Sequence, residues 1–123
     1  MEYWLGLDCG GTFIKAGLYD RSGHEHGVAR RNLAIVAPQP GWAERDMASL
    51  WRTAADVIRE VLSASGVAAG AIQAIGISAQ GKGAFLLDKQ GQPLGNAMLS
   101  SDQRALALVQ EWQRQGVPQA LYP

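Results

Sequence analysis

Asp8-Cys9-Gly10-Gly11-Thr12-Phe13-Ile14-Lys15 is the stretch on which the reading of this chain turns. It joins two apolar runs, 3–9 and 13–19, and the second run closes on Asp20-Arg21-Ser22-Gly23, a turn signal. Apolar runs separated by adjacent glycines predict a pair of strands joined as a hairpin. Two glycines at such a bend let the backbone pass close to a bulky anion, with N–H groups free to point at it. Thr12 adds a hydroxyl donor, and Asp8 at its strand end is placed to hold a hydrated Mg²⁺ that bridges phosphate oxygens. Lys15 could reach a phosphate or pair with a nearby carboxylate. An ordinary two-glycine hairpin beside an aspartate would show the same residues. The segment is not a Walker loop, because the Gly-x-x-x-x-Gly-Lys-Ser/Thr spacing and the following helix are missing.

Outward from the hairpin, a weaker pattern predicts a third strand over 25–35. Three opening strands differ from a dinucleotide fold, which passes from its first strand straight into a helix. After an ordered-looking loop at 38–42, Asp46 is placed to cap a helix over 47–64. Its apolar stripe runs through Met47, Leu50, Trp51, Ala54, Ile58, Val61 and Leu62, and Gly66 supplies the left-handed stop. Residues 71–78 predict a buried strand. A glycine-rich loop at 80–83 follows, then a strand at 84–88, a turn at 89–92 and a returning strand at 93–99. Ser101 is expected to cap a last helix reaching about Gln115, with Asp102 in its first turn, where a carboxylate suits the dipole. That helix carries Leu106, Val109 and Trp112 on one face and should stop at Gly116-Val117-Pro118. Sheet and helices in this order place the chain in the α/β class.

The 123 residues fit one ordinary domain, and 11 basic and 11 acidic residues are scattered to a net charge of zero. No basic stripe suits a nucleic acid or an anionic membrane surface. Cys9 is the single cysteine, so an internal disulfide and a cysteine-based metal site are excluded and a reducing compartment is implied. No signal peptide is visible, and no apolar run approaches the ~20 residues needed to span a bilayer, which makes the cytoplasm the default location. His24 and His26 sit beside a turn without further ligands and read as solvated or structural. The final Val117-Pro118-Gln119-Ala120-Leu121-Tyr122-Pro123 has no closing element and reads as a chain cut in mid-architecture.

The Asp-x-Gly-Gly-Thr-x-x-Lys pattern at 8–15 resembles the first phosphate motif of the sugar kinase, hsp70 and actin superfamily. That likeness implies a ribonuclease-H-like (actin-like ATPase) fold, a mixed sheet with flanking helices, duplicated into two lobes with ATP between them. It makes Asp8 the Mg²⁺-linked carboxylate and turns Gly10, Gly11, Thr12 and Lys15 toward the nucleotide phosphates. Pro40-Gly41-Trp42-Ala43-Glu44-Arg45-Asp46, with Leu50-Trp51 beyond, resembles the Pro-Gly-Trp-x-Glu-x-Asp…Trp segment of the FGGY carbohydrate kinases. Gly76-Ile77-Ser78-Ala79-Gln80 is similar to their Gly-Ile-Ser-x-Gln loop, in which the two following residues, here Gly81 and Lys82, touch the polyol. Residues 93–104 resemble their substrate-contacting Ile-Leu-Trp-x-Asp-x-Arg stretch. The implied sugar contacts are therefore Gln80, Gly81, Lys82, Ser100 and Asp102. Trp42, Glu44, Arg45 and Asp46 read as scaffold that fixes their own loop and caps the helix.

The Ser-Ala-Gln-Gly-Lys-Gly and Leu-Ser-Ser-Asp forms are similar to those of the L-xylulose kinases within that family. Two departures shape the pocket. Gly81-Lys82 replaces the Arg-Glu of glycerol kinases and the Met-His of typical D-xylulose kinases, and Ser100 stands where a tryptophan wall is usual. Both point to a wetter site and away from glycerol. The resemblance implies ATP and Mg²⁺ as cofactors, a small sugar as substrate, and a homodimer of the kind common among relatives. It also implies that residues 1–123 are the amino-terminal portion of the substrate-side domain. The proton-accepting aspartate and the nucleotide-binding carboxy-terminal domain then lie beyond them, and the piece alone is expected to be inactive. Two other readings remain: a ROK-type glucokinase, which shares the phosphate loop but not the 40–46 segment, and a non-catalytic regulatory module with an actin-like lobe.

Overall fold

A computed structural model describes residues 1–122, and its frame is the sheet that the first hairpin starts. Strand β1 (Tyr3–Cys9) pairs antiparallel with β2 (Phe13–Asp20), in register from Tyr3↔Asp20 to Cys9↔Ile14. Strand β3 (Glu25–Asn32) pairs antiparallel with β2, so it ends three residues earlier than the sequence pattern suggested. Beyond it, Leu33 donates its N–H to the Thr12 carbonyl at 2.8 Å, and the chain turns away from the sheet.

A two-residue strand β4 (Glu44–Arg45) leads into helix α1 (Met47–Ser65), bounded much as expected. The Asp46 carboxylate accepts from Ser49 N–H at 2.7 Å, and Gly66, at φ 69°, ends the helix by donating to the Leu62 carbonyl. Helix α1 lies across β2 and β3. Ala54, Val57 and Val61 seal it onto Leu5, Leu7, Ile14, Ala16, Leu18 and Ala29. The expected stripe is corrected at two positions: Trp51 is 77 % exposed, and Val57 is fully buried in the core.

Strand β5 (Ile72–Ala79) joins the free edge of β1 in parallel, giving the order β3-β2-β1-β5 in a mixed sheet. It is an edge strand that α1 covers less than β2 and β3, with only Ile72 packed on the core, so the expectation of a buried strand is corrected for this chain; Ile77 is 70 % exposed. Residues 84–88 and 93–99 do not form a regular hairpin either. They meet through single bridges, Ala84↔Met98 and Leu87↔Pro93, while the short β6 (Ala97–Met98) pairs with β4 instead. Phe85, Leu86 and Leu87 are exposed, so no core face holds that segment extended.

The last helix also differs from the expectation. Helix α2 (Leu106–Arg114) starts after Ala105 with no side-chain cap, so neither Ser101 nor Asp102 lies at its first turn. Residues 99–102 form a turn instead, closed by Asp102 N–H on the Leu99 carbonyl at 3.0 Å. Gly116, at φ 71°, then leads into a further helix, α3 (Val117–Leu121), rather than ending helical structure. His26 is structural as expected, with Nε2 2.8 Å from the Asp20 carboxylate. No helix among the described residues is long and apolar enough to cross a membrane.

Substituting Leu18→Ala should lower the unfolding free energy of this chain by about 2–5 kcal/mol, since its side chain is wholly enclosed. Trp51→Ala should shift it by no more than about 0.5 kcal/mol. Urea unfolding of the two variants reads the contrast directly.

Candidate functional site

Strands β1 and β5 run in the same direction, with Cys9 opposite Ala79, so the loops after both emerge at one end of the sheet. In α/β proteins, ligands gather outside the carboxyl ends of parallel strands. The two loops here are 10–12 and 80–83, which carry most of the residues singled out above.

The first loop has a defined polarity. Gly10 donates its N–H to the Phe13 carbonyl at 3.0 Å, which closes the bend. All three loop carbonyls accept from donors behind them: Gly10 and Gly11 from the Arg45 guanidinium, and Thr12 from Leu33 N–H. The C=O of one residue and the N–H of the next share a planar trans peptide and point in opposite directions. Drawing the Gly10 and Gly11 carbonyls inward therefore turns the Gly11 and Thr12 N–H groups outward. Neither N–H has an acceptor among the described residues, and both residues are exposed. The glycines serve different needs. A Cβ on Gly10 would lie 3.1 Å from the Phe13 carbonyl oxygen, whereas one on Gly11 would meet nothing within 4 Å. Bareness at Gly10 allows the bend; at Gly11 it leaves the outer side open.

Asp8 stands beside this loop on the sheet face away from α1, between Lys15 of β2 and Ser78 of β5. Next along the same face, Gly17, Gly6 and Gly76 lie side by side across three strands. With no side chains there, the face sinks to a groove lined also by Tyr19 and Val28. Asp8 and Lys15 are exposed, and neither takes part in an ion pair among the described residues. The structure thus brings together Asp8, Gly10, Gly11, Thr12 and Lys15. A single free carboxylate beside outward amides suits Mg²⁺, which keeps several waters and binds through one or two carboxylates plus phosphate oxygens.

At the second loop, Ser100 Oγ lies 3.4 Å from Gln80 Oε1, so two of the expected sugar contacts meet although twenty residues separate them. Gly81 and Lys82 are exposed beside them, and the Lys82 ammonium makes no hydrogen bond among the described residues. Asp102 is placed differently. Its Oδ1 accepts from the backbone N–H and Nε of Arg104, and its Oδ2 from Ala43 N–H and Arg104 Nη2, at 2.7–3.0 Å. Four donors of its own chain thus occupy the carboxylate, which braces the 100–104 turn against the 42–44 segment.

Arg104 is the hub of that brace. It also bonds Glu44 Oε1 at 2.7 Å and lies over the Trp42 ring, 3.8 Å from its centroid. Its guanidinium holds the Asp102 carboxyl well below the usual carboxylate range. Together with the Asn96 amide it lowers Glu44 as well, and the two acids raise Arg104 in return. Arg45 was expected only to steady its own loop; instead it reaches back across the fold to the glycines. Strand alternation was the signal available for this: Ala43 and Arg45 face inward and are buried, with Glu44 between them half-exposed. Burial pushes the Arg45 guanidinium down, and burial followed by the Asp8 charge pushes the Cys9 thiol up.

Comparison with known proteins agrees with this architecture. The family model "FGGY family of carbohydrate kinases, N-terminal domain" matches residues 3–123, and the chain belongs to that family. It is 62% identical over 122 residues to the L-xylulose/3-keto-L-gulonate kinase of Escherichia coli (strain K12), covering 99% of this chain and 24% of that protein. To a probable L-xylulose kinase of Pasteurella multocida (strain Pm70) it is 56% identical, covering 100% of this chain and 26% of that protein. Among solved structures, the ligand-bound xylulose kinase from Lactobacillus acidophilus superposes with a TM-score of 0.90 at 25% identity, over 99% of this chain and 24% of that one. The fold is the actin-like ATPase fold of these kinases, and the chain spans about a quarter of the length of the relatives it matches.

The Arg104 brace makes stability dependent on acid pH. Asp102 and Glu44 have depressed folded values, so their contribution is fully present above their unfolded values, near 4. It is lost as pH falls through that value toward the folded ones. Thermal unfolding between pH 3 and pH 7 should show the melting temperature holding above about pH 5 and falling below about pH 4. Arg104→Met should melt lower at pH 7 and show a flatter acid limb.

Proposed function

We propose that residues 1–123 are the amino-terminal portion of the substrate-side domain of an ATP-dependent carbohydrate kinase, whose acceptor is a ketopentose such as L-xylulose. The polarity of the 10–12 bend carries this reading: carbonyls held inside and, among the described residues, two free amides outside and an unpaired carboxylate alongside. The L-xylulose kinases among its relatives support the kinase class and the L-xylulose choice.

The residues divide the work in the way phosphoryl transfer requires, which is mainly positioning and charge stabilisation. The Gly11 and Thr12 amides, the Thr12 hydroxyl and the Lys15 ammonium would face the phosphates of ATP. Asp8 would hold the hydrated Mg²⁺, which when bound neutralises charge on the phosphate oxygens. Gln80, Gly81, Lys82 and Ser100 would bind the sugar hydroxyls. Asp102 would orient that set from behind through Ala43 and Arg104. The carboxylate that takes the proton from the attacking hydroxyl, and the lobe that holds the adenosine, are assigned to parts of the parent protein outside residues 1–123. The apolar groove between Trp51, Ile58, Ile75 and Ile77 is a surface such parts could cover. The lone half-buried thiol of Cys9 fits a reducing cytoplasm.

The test is a coupled ADP-release assay of the full-length parent against L- and D-xylulose, ribulose, 3-keto-L-gulonate, gluconate and glycerol. L-xylulose should give the largest kcat/KM, and the 123-residue chain alone should release no sugar-dependent ADP. Asp8→Asn in the parent should lower kcat by about 10²-fold or more. Turnover unchanged by Asp8→Asn, or a parent that binds nucleotide and phosphorylates none of these sugars, would overturn the assignment.

A further inference from the structure

Arg45 is 2 % exposed, and among the described residues it pairs with no carboxylate. Its partners are three backbone carbonyls: Ala34 through Nε at 3.4 Å, Gly10 through Nη1 at 3.4 Å, and Gly11 through Nη2. A buried cation without a counter-ion is costly, and truncating a group that satisfies such partners is costly as well. An uncompensated guanidinium directly behind a bend whose front carries two free amides therefore calls for an explanation beyond packing. The resemblance that identifies the 40–46 segment leaves position 45 open, so no role at this site comes from it.

We infer that Arg45 is a positioning residue for the nucleotide phosphates, acting through the peptide groups of the 10–12 bend. Its planar fork pins two successive carbonyls and so aims the amides of the two peptide units that contain them. Its charge lies on the far side of the same bend, where a bound polyanion becomes the counter-charge that the described residues do not supply. A lysine would keep the charge but could not hold two adjacent carbonyls in a fixed plane. The same residue lines a small pocket with Cys9, Leu50, Gln80 and Phe85, so it also lies beneath the second loop without reaching the open surface.

This inference rests on the kinase reading above, and the test separates the two. In the full-length parent, Arg45→Met and Arg45→Lys are compared with wild type for KM of MgATP, KM of L-xylulose, kcat and melting temperature. Arg45→Met should raise the KM of MgATP by about tenfold or more, the loss expected for a charged hydrogen bond, and leave the KM of the sugar within about twofold. Arg45→Lys should recover only part of the nucleotide affinity. If Arg45→Met does not fold, the same split is read from Arg45→Lys alone. A variant that folds and keeps the wild-type KM for MgATP, or that raises both KM values equally, overturns the inference while the kinase reading stands. A wild-type parent that binds no ATP overturns both.

Discussion

The carbonyl groups of Gly10, Gly11 and Thr12 cannot turn outward, because a buried guanidinium and the Leu33 amide hold them from behind. Planarity of the peptide does the rest. Two N–H groups must then face the open end of the sheet, and no atom of the described chain answers them. An unanswered donor pair is unfavourable unless water or a ligand takes it up, and a polyanion is the ligand whose chemistry matches. The Asp8 carboxylate beside it would not oppose that preference, since it would hold a hydrated Mg²⁺ whose charge offsets its own.

The rest of the fold keeps this bend in place and brings the second loop to it. Three consecutive residues do most of the joining. Ala43 accepts from Leu99 N–H and donates to Asp102, Glu44 bonds Arg104 and Asn96, and Arg45 reaches the glycines. The hairpin layer and the 97–104 layer are thus stitched through one short strand, with Trp42 packed under Arg104. Within this seam Arg45 acts on the first loop, while Ala43 and Glu44 act on the 97–104 layer.

Much of this could be read in the residues. The hairpin and helix α1 with its Asp46 and Gly66 caps followed from local chemistry: glycines at a bend, a capping carboxylate, apolar spacing; a phosphate role for 8–15 came only from the resemblance. What could not be read depended on distant partners. Strand β5 has the composition of a buried strand, yet exposure is decided by what packs on it, and α1 lies mainly over β2 and β3. Asp102 has the composition of a helix-first-turn acid, yet Arg104 and the Ala43 amide capture it and hold 99–102 as a turn. Arg45 looked like loop scaffold because nothing in its neighbourhood names Gly10 and Gly11, some thirty-five residues earlier, as its partners.

The most direct measurement is a crystal structure of the full-length parent with Mg²⁺ and a non-hydrolysable ATP analogue. Gly11 N and Thr12 N are expected within about 3.2 Å of phosphate oxygens, with Asp8 on the hydration shell of the metal. An analogue bound elsewhere, with those two amides still facing solvent, would contradict the assignment of the bend as the phosphate site.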